Sequence, residues 1–191
     1  MSDLPATSAP ADTLLLVIDV QPVFLRAMTE PARLQARCSL AVAAAVGLGL
    51  PVAFSEQVPQ KLGGTVPELL ALAPGAAVWP KQTFSALADP AIRAALLEER
   101  QIGHLLLCGL ETPVCVYQTA VAALAEGLQV TVLSDAVGAR RPDDARDCLA
   151  ALARYGAHVL PVETVCYALL RDVTHPFFRG YTQLVKTHSA S

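Results

Sequence analysis

LLLVIDV (residues 14–20) is a strand-length run of mostly branched apolar residues with one acid near its end. Apolar residues that do not alternate with polar ones suit a strand buried on both faces, as in a parallel sheet covered by helices on each side. Similar runs follow at PVAFSE (51–56), AAVWPK (76–81), HLLLCGL (104–110), QVTVLSDA (129–136) and HVLPVE (158–163). Segments between them, at 31–48, 90–100, 113–126 and 142–154, carry apolar positions that suit helices, and two more follow at 163–171 and 176–186. Asp89-Pro90, Thr112-Pro113 and Arg141-Pro142 punctuate three helix starts, because proline at the first helical position gives up an N–H that has no helical partner anyway. Strands alternating with helices predict βαβ units, and so an α/β, three-layer (αβα), Rossmann-like fold with a six-stranded, mostly parallel sheet.

With 191 residues, 53% of them apolar, the chain can bury one sizeable core. It reads as a single domain over 13–188 after a flexible stretch, 1–12. The one long irregular connection is Gln57–Pro74, rich in glycine and proline. Fourteen basic against seventeen acidic side chains, net −3 and without a basic run, argue against nucleic acid as a partner. The longest apolar run, Leu40–Phe54, is broken by Gly47, Gly49 and Pro51 and is shorter than the ~20 residues a membrane span needs, so no membrane is expected either. The first residues lack the basic and apolar regions of a signal peptide, which predicts a cytoplasmic protein. Its five cysteines (Cys38, Cys108, Cys115, Cys148, Cys166) are widely spaced and form no CxxC, so they are expected as reduced thiols.

In an open parallel sheet, ligands bind beyond the carboxyl ends of the strands. Asp19, Glu56, Lys81 and Asp135 lie at four such ends, and Cys115 follows a fifth. With Thr112 as helix cap and Pro113 first in the helix, Cys115 falls in the opening turn. There the positive helix end and a nearby Lys81 would lower its thiol pKa. Asp19 could accept the thiol proton, and free N–H groups of the Glu111–Cys115 turn could hold an oxyanion. Each residue alone has an ordinary reading. Cys115 in VCVYQTAVAALA reads as a small buried hydrophobe, Asp19 as a turn or cap residue and Lys81 as a solvated loop lysine. Only their common edge argues for chemistry. The absence of G-x-G-x-x-G after the first strand argues against a dinucleotide-binding oxidoreductase.

Three motifs in order, LLLVIDVQPVF, KQTFSAL and GLETPVCVYQTA, together with SDAVGARRPDD, resemble the isochorismatase-like cysteine hydrolases, a family that includes nicotinamidases and N-carbamoyl amide hydrolases. Through SEQVPQKLGGTVPEL and DVTHPFF the chain is most similar to isochorismatase-domain proteins of unassigned substrate. The resemblance implies Asp19 as base, Lys81 as electrostatic partner and Cys115 as nucleophile. It further implies a cis peptide at Leu110–Glu111 and oxyanion donors at the N–H groups of Glu111 and Cys115. Gln21, Phe24, Gln57, Phe84 and Tyr117 are then expected to contact the substrate. Nicotinamidases carry an Asp and paired His residues as a metal box where this chain reads FSEQVPQKLGG, so no metal and no cofactor are expected. Isochorismatases proper lack the cysteine, so Cys115 favours hydrolysis of a small-molecule amide-type C–N bond; a non-catalytic small-molecule-binding or scaffold role is the alternative. Arg140 and Arg141 read as solvated surface or a subunit contact. Resemblance and apolar composition both predict a homo-oligomer.

Overall fold

The computed structural model describes residues 12–188, so the expected flexible stretch 1–12 lies outside the described residues apart from Asp12. Among the described residues six strands form one sheet: β1 (Thr13–Ile18), β2 (Val52–Gln57), β3 (Ala77–Lys81), β4 (His104–Leu110), β5 (Gln129–Gly138) and β6 (His158–Leu160). Their order is β3-β2-β1-β4-β5-β6. All five pairings are parallel, where the sequence predicted a mostly parallel sheet.

Alternation within β1 explains why its run reads as apolar throughout. Leu15 and Val17 enter one core cluster, while Leu14, Leu16 and Ile18 enter another on the opposite face. Helices α2 (Pro31–Gly47), α8 (Val162–Leu170) and α9 (Phe178–His188) supply the first cluster. The second is covered by α5 (Pro90–Ala94), α6 (Tyr117–Ala125) and α7 (Pro142–Tyr155). The result is three layers.

Proline opens α1 (Pro22–Leu25), α2, α3 (Pro59–Leu62), α4 (Pro67–Leu72), α5 and α7. The expected irregular connection after β2 therefore contains α3 and α4, each too short for a helical period to stand out in sequence. Asp89 caps α5 by accepting from Ala91 N at 3.0 Å and Ile92 N at 3.3 Å. β6 ends at Leu160 rather than residue 163, because Pro161 closes the strand and α8 starts at once.

The chain runs outward through β2 and β3, then crosses back to place β4 on the other side of β1. That reversal opens a crevice at the carboxyl ends of β1 and β4, the place where such sheets hold ligands. Asp19 follows β1 and Cys115 follows β4. Gly109 makes this closeness practicable: a Cβ there would sit 2.0 Å from the Ile18 carbonyl oxygen, and its φ of +113° disfavours any larger residue.

Candidate active site

Asp19 takes a left-handed backbone conformation (φ 51°), which an aspartate tolerates better than most residues. Its carboxylate, wholly buried, is held on both oxygens: Ser55 Oγ donates to Oδ1 at 2.8 Å and Lys81 Nζ donates to Oδ2 at 2.7 Å. Lys81, at the end of β3, also donates to Gln57 Oε1 at 2.6 Å and to the Thr83 carbonyl at 3.2 Å. Cys115 Sγ lies 3.6 Å from Lys81 Nζ and 4.0 Å from Gln57 Oε1. Residues drawn from four strand ends thus meet at one point.

The first helical turn differs from expectation. Glu111, not Thr112, occupies the cap position, and the turn Thr112–Val116 is wide, with Val114 N and Val116 N both donating to the Glu111 carbonyl at 3.1 Å. The Leu110–Glu111 peptide is cis, as the resemblance implied.

The expected lowering of the Cys115 thiol pKa is overturned. Burial, with 6% of the residue exposed, pushes the thiol up and the Asp19 charge adds to it, outweighing the pull of Lys81, so it stands at about 12. At neutral pH the sulfur keeps its proton, beside a carboxylate able to receive it.

A cavity of about 490 Å³ opens over these groups, lined by Asp19, Gln57 and Cys115 at its polar end and by Val23, Phe24, Ala27, Phe84 and Val114 along its apolar wall. Phe84, 55% exposed, stands at the mouth. Glu111 and Arg140 complete the lining, joined by an ion pair of 2.6 Å. Arg140 is thereby brought to the cavity rim rather than left as plain surface, whereas Arg141 pairs with Asp144 at 2.7 Å in the open.

Two expected substrate contacts stand elsewhere. Gln21 is fully buried and its amide grips main chain: Oε1 accepts from Gln57 N at 2.7 Å, and Nε2 donates to the carbonyls of Gln57 at 3.1 Å and Gly63 at 2.5 Å. Tyr117 packs half-buried against the second core cluster, outside the cavity lining. Glu56 and Asp135, also at strand ends, do structural duty. Glu56 accepts from Thr65 N at 2.7 Å, and Asp135 accepts from Val162 N at the start of α8 at 2.8 Å and from Arg37. Ser55 escaped sequence reasoning, although parity could have found it. Ser55 and Gln57 lie two residues apart, on the same side of β2 as Ala53 of the second cluster, and Glu56 lies on the other.

Residues 13–164 match the isochorismatase domain family. The chain belongs to the isochorismatase family. Among its relatives, isochorismatase domain-containing protein 2 of Bos taurus is 36% identical over 180 residues, covering 94% of this chain and 86% of the relative. The MAR1 ribonuclease of Caenorhabditis elegans superposes with a TM-score of 0.86 at 28% identity, over 93% of this chain and 91% of that one. The YcaC gene product of Escherichia coli, an octameric hydrolase of unknown specificity, gives a TM-score of 0.86 at 24% identity over 93% and 88%. This isochorismatase fold has, among the described residues, no helix long and apolar enough to cross a membrane. Nor do the described residues bring together three or more His, Cys, Asp or Glu side chains in a metal-binding group.

Proposed function

We propose that the protein is a cysteine hydrolase that cleaves an amide-type C–N bond of a small molecule. The observation that carries this reading is the placing of Lys81 Nζ 2.7 Å from Asp19 and 3.6 Å from Cys115, all three buried beneath one cavity. Because the thiol is held neutral, its proton passes to Asp19 as sulfur attacks the carbonyl carbon, not before. The N–H groups of Glu111 and Cys115 receive the developing oxyanion, a role in which one donor contributes roughly 3–4 kcal/mol. Asp19 returns the proton to the departing amine, leaving an acyl thioester on Cys115. Asp19 then takes a proton from water as it attacks the thioester and returns that proton to the departing sulfur, releasing the acid and restoring both the thiol and the base.

The apolar wall fits a small organic group. Net charge −3 and a single guanidinium at the rim argue for such a ligand over a nucleic acid. The chemistry requires no metal or cofactor, since base, cation and nucleophile are all side chains. An octameric fold neighbour supports a homo-oligomer.

A panel of small amides, assayed for amine release and for an acyl adduct on Cys115 by mass spectrometry, tests the reading. Turnover that disappears in Cys115→Ala with the fold intact is the expected result; undiminished turnover in that variant sinks the mechanism. The thiol raised to about 12 favours one second reading, a binding member of the fold that captures its ligand without turnover. Tight binding of a panel compound with no product and no adduct would favour it.

A further inference from the structure

Both polar ends of the Gln57 side chain have partners. Oε1 accepts from Lys81 Nζ at 2.6 Å and Nε2 donates to the Gln82 carbonyl at 3.0 Å. An ammonium only donates and a carbonyl only accepts, so these partners fix which end of the amide faces Lys81. The Gln57 main chain is fixed as well, clamped on both its N–H and its carbonyl by the Gln21 amide. Gln57 therefore lines the cavity as part of a rigid frame, with one Nε2 hydrogen left for a substrate.

Lys81 has three N–H groups, and three oxygen acceptors surround it: Asp19 Oδ2 at 2.7 Å, Gln57 Oε1 at 2.6 Å and the Thr83 carbonyl at 3.2 Å. Cys115 Sγ, at 3.6 Å, is a fourth and weaker claimant. For sulfur to gain an N–H, one oxygen must lose it. Asp19 carries the opposing charge and Thr83 offers a main-chain carbonyl from the segment after β3, so the neutral side chain of Gln57 is the competitor that can be removed cleanly.

We propose that Gln57 is a positioning residue that occupies one of the three Lys81 N–H groups and so withholds it from the Cys115 sulfur in the resting protein. The inference rests on the reading of Cys115 as nucleophile and assigns Gln57 a part in controlling it. The other charged groups around the sulfur are Asp19 at the end of β1, Lys81 itself at the end of β3, and, across the cavity, Glu111 before the wide turn and Arg140 after β5. A hydrogen-bond donor in the cavity that drew the Gln57 side-chain oxygen off Lys81 would free an N–H for the sulfur as it loses its proton, linking occupancy to activation.

The test needs no substrate. Iodoacetamide alkylation of Cys115 is followed at one fixed, near-neutral pH by peptide mass spectrometry, with Cys38, Cys108, Cys148 and Cys166 as references, in wild type, Gln57→Met and Gln57→Glu. Met keeps the length of Gln without an oxygen acceptor, whereas Glu adds negative charge beside the sulfur. Below the thiol pKa the thiolate fraction changes about tenfold per unit of pKa. The expected result is Gln57→Met several-fold to about tenfold faster than wild type, with Gln57→Glu no faster than wild type. Any other ordering of the folded proteins overturns the inference, because loosened packing alone would move both variants the same way. Gln57→Leu replaces Gln57→Met should the latter fail to fold. Cys115 unreactive in every protein overturns the nucleophile reading along with this one.

Discussion

Lys81 and Asp19 are a buried ion pair, with side chains 0% and 1% exposed, and each justifies the burial of the other. Removing one member of such a pair leaves an uncompensated charge in the interior, at a cost of about 3–5 kcal/mol. Lys81→Met is therefore expected to lower unfolding stability in urea by that order; a loss below about 1 kcal/mol would show that Asp19 finds water or a proton easily. The Cys115 thiol gives a second outcome. Burial and Asp19 lift it from its ordinary 9.0 to about 12, so the folded chain keeps a proton that the unfolded chain releases above 9.0. Its contribution to stability is whole below that pH and is lost as pH rises towards 12. Burial moves Cys166 the same way, to about 11, and Tyr181 upward too. Urea midpoints should fall above pH 9.0, and less steeply in Cys115→Ala than in wild type; equal slopes would show that Cys115 does not contribute.

Among elements, the pairing of β1 with β4 is closely constrained. Gly109 lies against Ile18 with no room for a methyl group, so Gly109→Ala must part the two strands that carry Asp19 and Cys115. Overpacking of this kind costs about 1–3 kcal/mol, and the positive φ adds to it. The expected outcome is a destabilised variant whose Cys115 reactivity also changes, measured by thermal unfolding and alkylation together. Unchanged stability and reactivity would mean that the pairing tolerates movement. Helix starts were the most legible elements, since the prolines read as first helical residues open α5 and α7 in the structure, and Pro113 opens the wide turn ahead of α6. Helices α3 and α4 were missed because four and six residues complete too few turns to show a period.

For the whole molecule, the two core clusters lie on opposite faces of the sheet, and several large apolar side chains remain outside them, among them Tyr155 and Val173 at 58% and 70% exposure. Together with family membership this leads us to expect a homo-oligomer. Sedimentation equilibrium should give a mass several times that of one chain, and a concentration-independent monomer would remove the expectation. Treatment with a strong chelator should leave Cys115 alkylation unchanged, because the proposed chemistry runs on side chains alone.

The layered α/β fold is legible in the residues alone, because two-sided burial demands apolar runs and proline can start a helix but not continue one. The sequence also singles out Asp19, Lys81 and Cys115, since each ends or follows a strand and strand ends share an edge. Which strand-end groups meet is fixed by how the elements pack. Glu56 and Asp135 satisfy the same rule, yet side-chain parity and the nearby start of α8 turn them to structural work. Arg140 joins the site through the loop path after β5 and Ser55 through the parity of β2, while Gln57, expected beside the substrate, is found holding Lys81 as well. The protonation of Cys115 is decided by packing too: burial and the Asp19 charge outweigh Lys81, a balance set by distances across elements far apart in the chain.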